Sequence, residues 1–180
     1  IPESYTENNK PFSYDPKLIN YLFITHAHMD HIGRVCKLVR DGFRGTIYST
    51  PETRELAHVM LIDALKVMDM KERTETGDKK EIPLYKEEDF TQTFLLWKTI
   101  SYHTQTQINS DFSVYLKDAG HILGSSMYEF TFNGRKIVFT GDSGNSPAPL
   151  LKDTEKITDA DYLIVDSVYG DRNHEPKEER

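Results

Sequence analysis

The sequence predicts an α/β fold in which a mixed sheet is covered by helices on its outside, and three observations predict it. Short apolar runs rich in β-formers alternate with helically spaced apolar residues over roughly the first hundred positions. From Ile100 the apolar period shortens to two. A last apolar run, Tyr162-Leu163-Ile164-Val165, then precedes a polar tail. Strand–helix–strand–helix followed by antiparallel strands is the order of a layered α/β domain. With 180 residues and 37% hydrophobic content, the chain can bury one core, so one compact domain is the expectation.

Residues 1–19 are polar and interrupted by Pro2, Pro11 and Pro16, and Tyr21-Leu22-Phe23-Ile24-Thr25 then reads as a buried strand. Ile32, Val35, Leu38 and Val39 recur at helical spacing until Asp41-Gly42, where glycine can close a helix. Gly45 to Ser49 is the next strand. Thr50-Pro51-Glu52 supplies a cap, a first-turn proline and an early acid for a helix running through Leu56, Val59, Met60, Ala64 and Val67. The charged, glycine-broken stretch from Thr74 to Pro83 is expected to be an exposed loop, and residues 86–98 to be helical. Phe112, Val114 and Leu116 alternate with polar residues. Met127–Phe132 and Lys136–Thr140 flank Asn133-Gly134, a strong hairpin signal.

The formal charge of −7, from 22 Lys and Arg against 29 Asp and Glu, argues against a generalised grip on nucleic acid or anionic membrane, so a polyanionic substrate must be held locally. Carboxylates that ligate metal would be neutralised there. Cys36 is the one cysteine, read as a small buried hydrophobe on a helix, and a reducing, cytoplasmic setting is expected. No run approaches the ~18 apolar residues of a membrane span, and no signal segment opens the chain.

The chemistry is concentrated in three elements, each just after an apolar run. Thr25-His26-Ala27-His28-Met29-Asp30-His31 packs three imidazoles and a carboxylate into six positions. In an extended loop His26 and His28 point the same way and can bite one metal, while Asp30 and His31 turn toward a neighbouring site. Nitrogen and oxygen donors leave room for water, unlike a closed structural zinc. In Asp118-Ala119-Gly120-His121-Ile122-Leu123-Gly124-Ser125, a histidine between glycines can bring its ring close to a metal. In Phe139-Thr140-Gly141-Asp142-Ser143-Gly144, Asp142 leaves a strand in a glycine-flanked turn, as a bridging carboxylate or as an ordinary turn residue. His58 and His103 match no motif position. The Tyr21–Phe23 and Phe94–Trp97 aromatics read as core rather than base-stacking platforms.

Together these elements resemble the metallo-β-lactamase superfamily, whose signature is a His-x-His-x-Asp-His loop followed by a lone His and a bridging Asp. More narrowly, Asp118 to Ser125, Thr140-Gly141-Asp142 and Leu163 to His174 are similar to the β-CASP branch of RNA- and DNA-processing nucleases. The nearest subgroup is the prokaryotic relatives of the pre-mRNA 3′-end cleavage and polyadenylation endonuclease. The resemblance runs from about residue 10 to 178, through Gly42-Phe43, Pro83-Leu84-Tyr85 and Ala160-Asp161. It implies a four-layer αββα sandwich, of which residues 1–180 would be the N-terminal portion, a fragment without the inserted β-CASP domain and without the later stretch that carries a further zinc ligand and the catalytic histidine. It also implies that His26, His28 and His121 hold one zinc, Asp30 and His31 a second, and that Asp142 bridges them. Asp166 falls where that branch mostly carries Glu to orient the catalytic histidine. His174 is a candidate contact for substrate phosphate, or a solvated residue in a charged tail.

The expectation is therefore a zinc-dependent phosphodiester hydrolase acting on RNA, or on single-stranded DNA, through a hydroxide activated between two metals and oriented by Asp30 and Asp142. Manganese or iron in place of zinc and a homodimer stay open. Residues 1–180 alone are expected to be weakly active or inactive. Two alternatives stand beside this reading: hydrolysis of a small ester or thioester on the same metal loop, disfavoured by the segment from Asp166 to His174, and a catalytically silent scaffold of a processing complex, disfavoured by six intact ligands.

Overall fold

A computed structural model describes residues 7–74, 83–144, 150–168 and 170–171. Their strands form two sheets. The first is parallel, in the order β1 (Tyr21–Phe23), β2 (Thr46–Ser49), β3 (Trp97–Thr99), with Leu22 opposite Ile47 and Ile47 opposite Trp97. Parallel neighbours need crossovers. Here they carry α1 (Met29–Ile32) and α2 (Val35–Arg40) between β1 and β2, and α3 (Pro51–Thr74) and α4 (Glu87–Leu95) between β2 and β3.

The second sheet runs β4 (Thr106–Gln107), β5 (Phe112–Asp118), β6 (Ser126–Phe132), β7 (Arg135–Phe139), β8 (Tyr162–Ile164), antiparallel except for the parallel β7–β8 pair. The β6–β7 connection is the expected hairpin, with Asn133 and Gly134 at φ of 48° and 72°, the pair of left-handed residues a type I′ turn requires.

Strand alternation sorts the apolar residues into two cores. Leu22, Ile47 and Trp97 face the helices and pack with Leu61, Phe90 and Val39, while Phe23 and Tyr48 face the second sheet and meet Val114, Leu116, Tyr128 and Phe130. The described residues thus supply three layers of an αββα sandwich: helices, parallel sheet, mixed sheet. Cys36 is fully buried in the helical core, as expected, and Phe94 stacks on Trp97 with centroids 5.3 Å apart.

Two expectations need correction. The helix read over 86–98 ends at Leu95, and Trp97 opens β3; its indole fills the helix–sheet core and donates to Ser49 Oγ at 2.8 Å, so pairing with β2 overrides the helical spacing. The helix read from Ile32 to Val39 is two helices, separated at Gly33 and Arg34. The helix opened by Thr50 continues past Val67 to Thr74. Most of the loop expected between Thr74 and Pro83 lies outside the described residues, as does His174. Among the described residues, no helix is long and apolar enough to cross a membrane.

Candidate metal centre

Because β6 is antiparallel to both β5 and β7, and β8 is parallel to β7, strands β5, β7 and β8 all end at the same edge of their sheet. Their continuations carry His121, Asp142 and Asp166. His26 and His28 follow β1, with His28 just before the short helix that bears Asp30 and His31, its side chain making no capping bond.

The ends of β1 and β6 are tied together across the sandwich. Tyr128, fully buried on β6, points its hydroxyl at the carbonyls of Ile24 (3.0 Å) and Tyr48 (3.2 Å). One residue further along β1, the carbonyl of Thr25 accepts from the backbone N–H of Ser126 at 2.8 Å and from its hydroxyl at 3.2 Å. His26 is the next residue. It is fully buried, and its Nδ1 lies 3.1 Å from Thr25 Oγ1, which turns Nε2 inward.

His121 sits in a loop whose backbone is held at several points. Asp118 accepts from Gly120 N at 2.8 Å, and Ser125 Oγ accepts from the N–H groups of His121 and Ile122 at 3.0 and 3.2 Å. The carbonyl of Ala119 accepts from Gly144 N, beyond Asp142, at 2.8 Å. Gly141, just before Asp142, has φ of +56°, and a Cβ there would lie 2.7 Å from Thr25 Cβ. Only a residue without a side chain fits that approach. The Asp142 turn is therefore locked against both other loops.

The side chains converge. His28 Nδ1 lies 3.0 Å from His26 Nε2 and 3.1 Å from His121 Nε2. Asp142 Oδ2 lies 3.8 Å from His26 Nε2 and 3.6 Å from His121 Nε2, and all four donor atoms fall within 4.8 Å of one another. The other oxygen of Asp142 approaches His31: Oδ1 is 3.3 Å from His31 Nε2, which is 3.6 Å from Asp30 Oδ2, and the His31 ring lies 4.0 Å from that of His26.

Burial and the neighbouring imidazoles of His31, His121 and His28 hold His26 down at about 3, against a smaller opposing pull from Asp30. Burial first, and His28 next, also depress His121, opposed by Asp142. Both rings are thus neutral at neutral pH, the form in which imidazole ligates. A ring nitrogen offers one lone pair or one proton, so His28 Nδ1 cannot satisfy both neighbours by hydrogen bonding. A cation between them can, and tetrahedral bonds of about 2.0–2.1 Å would set the nitrogens about 3.3 Å apart. The donor set fits a metal ion.

Asp166 lines a cavity of about 410 Å³ together with His31, Asp142, Phe139 and Ile164. Its N–H donates to Thr140 Oγ1 at 3.1 Å, while its Oδ1 accepts from Val168 N at 3.0 Å. Asp166 therefore borders the centre with one oxygen engaged in its own turn. His58 contacts the rings of Phe90 and Phe94, and His103 lies 2.6 Å from Glu155 Oε1. Neither joins the cluster. Sequence reasoning missed Tyr128 and Ser125, which hold the loops; Ser125 closes the glycine-rich loop, and that proximity is the one signal that could have found it.

Comparison with known proteins agrees with this geometry. Residues 3–160 match the family described as metallo-beta-lactamase superfamily domain. The chain is 35% identical over 172 residues to Ribonuclease TTHA0252 of Thermus thermophilus, an alignment covering 96% of this chain and 37% of that protein. It is 31% identical over 170 residues to Endoribonuclease YSH1 of Kluyveromyces lactis, covering 93% and 22%, and 31% identical over 155 residues to Transcription termination factor FttA of Cenarchaeum symbiosum, covering 84% and 23%. The chain thus spans little more than a third of the first relative and less than a quarter of the other two. The His/Asp cluster, the layered fold and a family match over most of its length together establish that this chain belongs to the metallo-β-lactamase superfamily.

Proposed function

We propose that the chain supplies the metal-binding part of an RNA-cleaving phosphodiesterase of the β-CASP branch, with residues 1–180 as the N-terminal portion of the metallo-β-lactamase domain and the inserted domain outside them. His26, His28 and His121 would hold one zinc ion and Asp30 and His31 a second, with the Asp142 carboxylate available to both. The observation that carries this reading is the division of the Asp142 carboxylate, one oxygen toward the three-histidine group and the other toward His31. A carboxylate serving only a turn has no reason to split in this way.

When bound, a pair of zinc ions supplies Lewis acidity toward a phosphoryl oxygen and acidifies water near neutral pH. The chain's own residues do the rest. Asp30 and Asp142 accept hydrogen bonds from the attacking water and set its direction. Phe139 and Ile164 line the cavity beside the centre and give it an apolar side. Asp166, at the rim of the same cavity, orients the group that protonates the leaving oxygen. RNA as the substrate is supported by the ribonuclease and endoribonuclease names of two relatives. A cytoplasmic location is supported by the lone cysteine, buried as a free thiol.

The test is zinc content and cleavage of end-labelled RNA by the full-length protein, beside a thioester substrate, for wild type and Asp142→Asn. Zinc-dependent RNA cleavage lost in the variant, with a variant zinc content reduced below that of wild type, is the expected result. Thioester turnover without RNA cleavage, or unchanged zinc and activity in Asp142→Asn, would sink the proposal.

A further inference from the structure

The ring of His121 is surrounded by the cluster it belongs to: its polar contacts among the described residues run to His28 and Asp142. What places it is therefore its backbone. Three residues on, the carbonyl of Gly124 accepts two hydrogen bonds from the first turn of α3, from Thr50 Oγ1 at 2.7 Å and from Thr53 Oγ1 at 2.8 Å. Both threonines are fully buried. Thr50 Oγ1 also accepts from Thr53 N at 3.2 Å, so one hydroxyl caps the helix and anchors the loop at once.

The approach is close. Gly124 has φ of +83°, and a Cβ there would meet Thr53 N at 2.6 Å and Glu52 Cβ at 2.8 Å. With both lone pairs of its carbonyl engaged, Gly124 can neither rotate nor lift from the helix without leaving buried hydroxyls unpaired. The next residue, Ser125, receives the N–H of His121, and Tyr102 donates to the Ser125 carbonyl at 2.8 Å. The chain of contacts runs from α3 through Gly124 and Ser125 to the backbone of His121.

We propose that Thr50 and Thr53 are positioning residues for the metal arm carried by His121, acting through the Gly124 carbonyl. This rests on the metal-ligand reading of His121 given above. Neither threonine touches the cluster. Groups bonded directly to a metal ligand are worth about tenfold to a hundredfold in metal affinity, and supports that act through a neighbouring carbonyl fall at or below the lower end of that range.

Thr53→Val is the primary variant, because it replaces a hydroxyl by a methyl group and leaves the Thr50 cap in place. Zinc affinity is measured on the full-length protein by competition with a chromophoric chelator, and the cobalt-substituted protein is examined by its d–d absorption. Thr53→Val is expected to bind zinc several-fold more weakly, Thr50→Val/Thr53→Val about tenfold more weakly, both with an altered cobalt spectrum, and Thr53→Ser to restore wild-type values. A purely structural role would lower the melting temperature and leave the affinity and spectrum of the folded protein unchanged, and that result overturns the inference alone. If wild type binds no metal, the reading of His121 fails and this inference with it. Should the double variant not fold, Thr53→Val against Thr53→Ser still decides.

Discussion

Gly141 sits between a strand end and a site carboxylate, and Gly141→Ala is a sharp test of how the centre is assembled. Its φ of +56° costs an L-residue about 1–2 kcal/mol. The added Cβ would stand 2.7 Å from Thr25 Cβ and 2.9 Å from both Thr25 Cγ2 and Oγ1, so Thr25 or the Asp142 turn must shift. Overpacking of this kind costs about 1–3 kcal/mol more, and the stiffer unfolded chain offsets about 0.4–1 kcal/mol. The net loss is therefore about 1–5 kcal/mol. Gly134→Ala is the internal control: its φ is +72°, but nothing lies within 4 Å of the new Cβ, so it carries the backbone penalty alone. Urea unfolding of the metal-free proteins should rank wild type above Gly134→Ala above Gly141→Ala. Zinc affinity should fall only in Gly141→Ala, because Thr25 immediately precedes His26 and the displacement is passed to both motifs. Equal stability of the two variants, with wild-type zinc affinity in Gly141→Ala, would refute the idea that contact between these loops sets the spacing of the donors.

Two further outcomes are expected. His26 is held at about 3 in the fold against about 6.5 in the unfolded chain, so the unfolded state binds the extra proton between those values, and the stability His26 permits at neutral pH is lost as pH falls from about 6.5 toward 3. With chelator present, wild type should lose about 1.5 kcal/mol more than His26→Gln between pH 6.5 and pH 5, read by urea titration, and parallel pH profiles would contradict it. Tyr128→Phe removes the hydroxyl that reaches the Ile24 and Tyr48 carbonyls in a fully buried position. It should cost about 1–3 kcal/mol in calorimetric stability, and an unchanged melting temperature would contradict the account of how β1 is tied to β6.

The donors were legible because polar residues placed directly after apolar strands have few structural reasons to be there. The loop of His26 and His28 stood out alone, whereas His121 and Asp142 taken singly read as ordinary loop and turn residues and gained meaning only beside it, and the structure brings the four together. Asp166 was legible only as a strand-end acid, and its hydrogen bond from Val168 N is what any turn aspartate makes. The error at 86–98 arose because Phe94 and Trp97 are spaced as helical neighbours are, while the pairing of Trp97 with Ile47 depends on a residue fifty positions away. The same distance hides the supports of the centre. Thr50 reads as a helix cap, and it is one, but its second bond goes to Gly124, and no local pattern announces it. Tyr128 reads as one more inward-facing aromatic of an alternating strand, and its hydroxyl matters only once the opposite sheet is in place.

The electrostatics of the centre bear on the excess of acidic residues noted at the outset. Asp30, Asp142 and Asp166 bring carboxylates to the place where a phosphodiester would have to lie, and burial keeps His26 from offsetting them with a proton. The protein alone would therefore repel a polyanion at its own centre. On the proposed function, divalent cations held by the same residues would reverse the local sign, so attraction for substrate and competence for hydrolysis would depend on one event, the filling of the cluster. A chain whose formal charge is −7 would then hold a polyanion at the metal centre rather than through net positive charge.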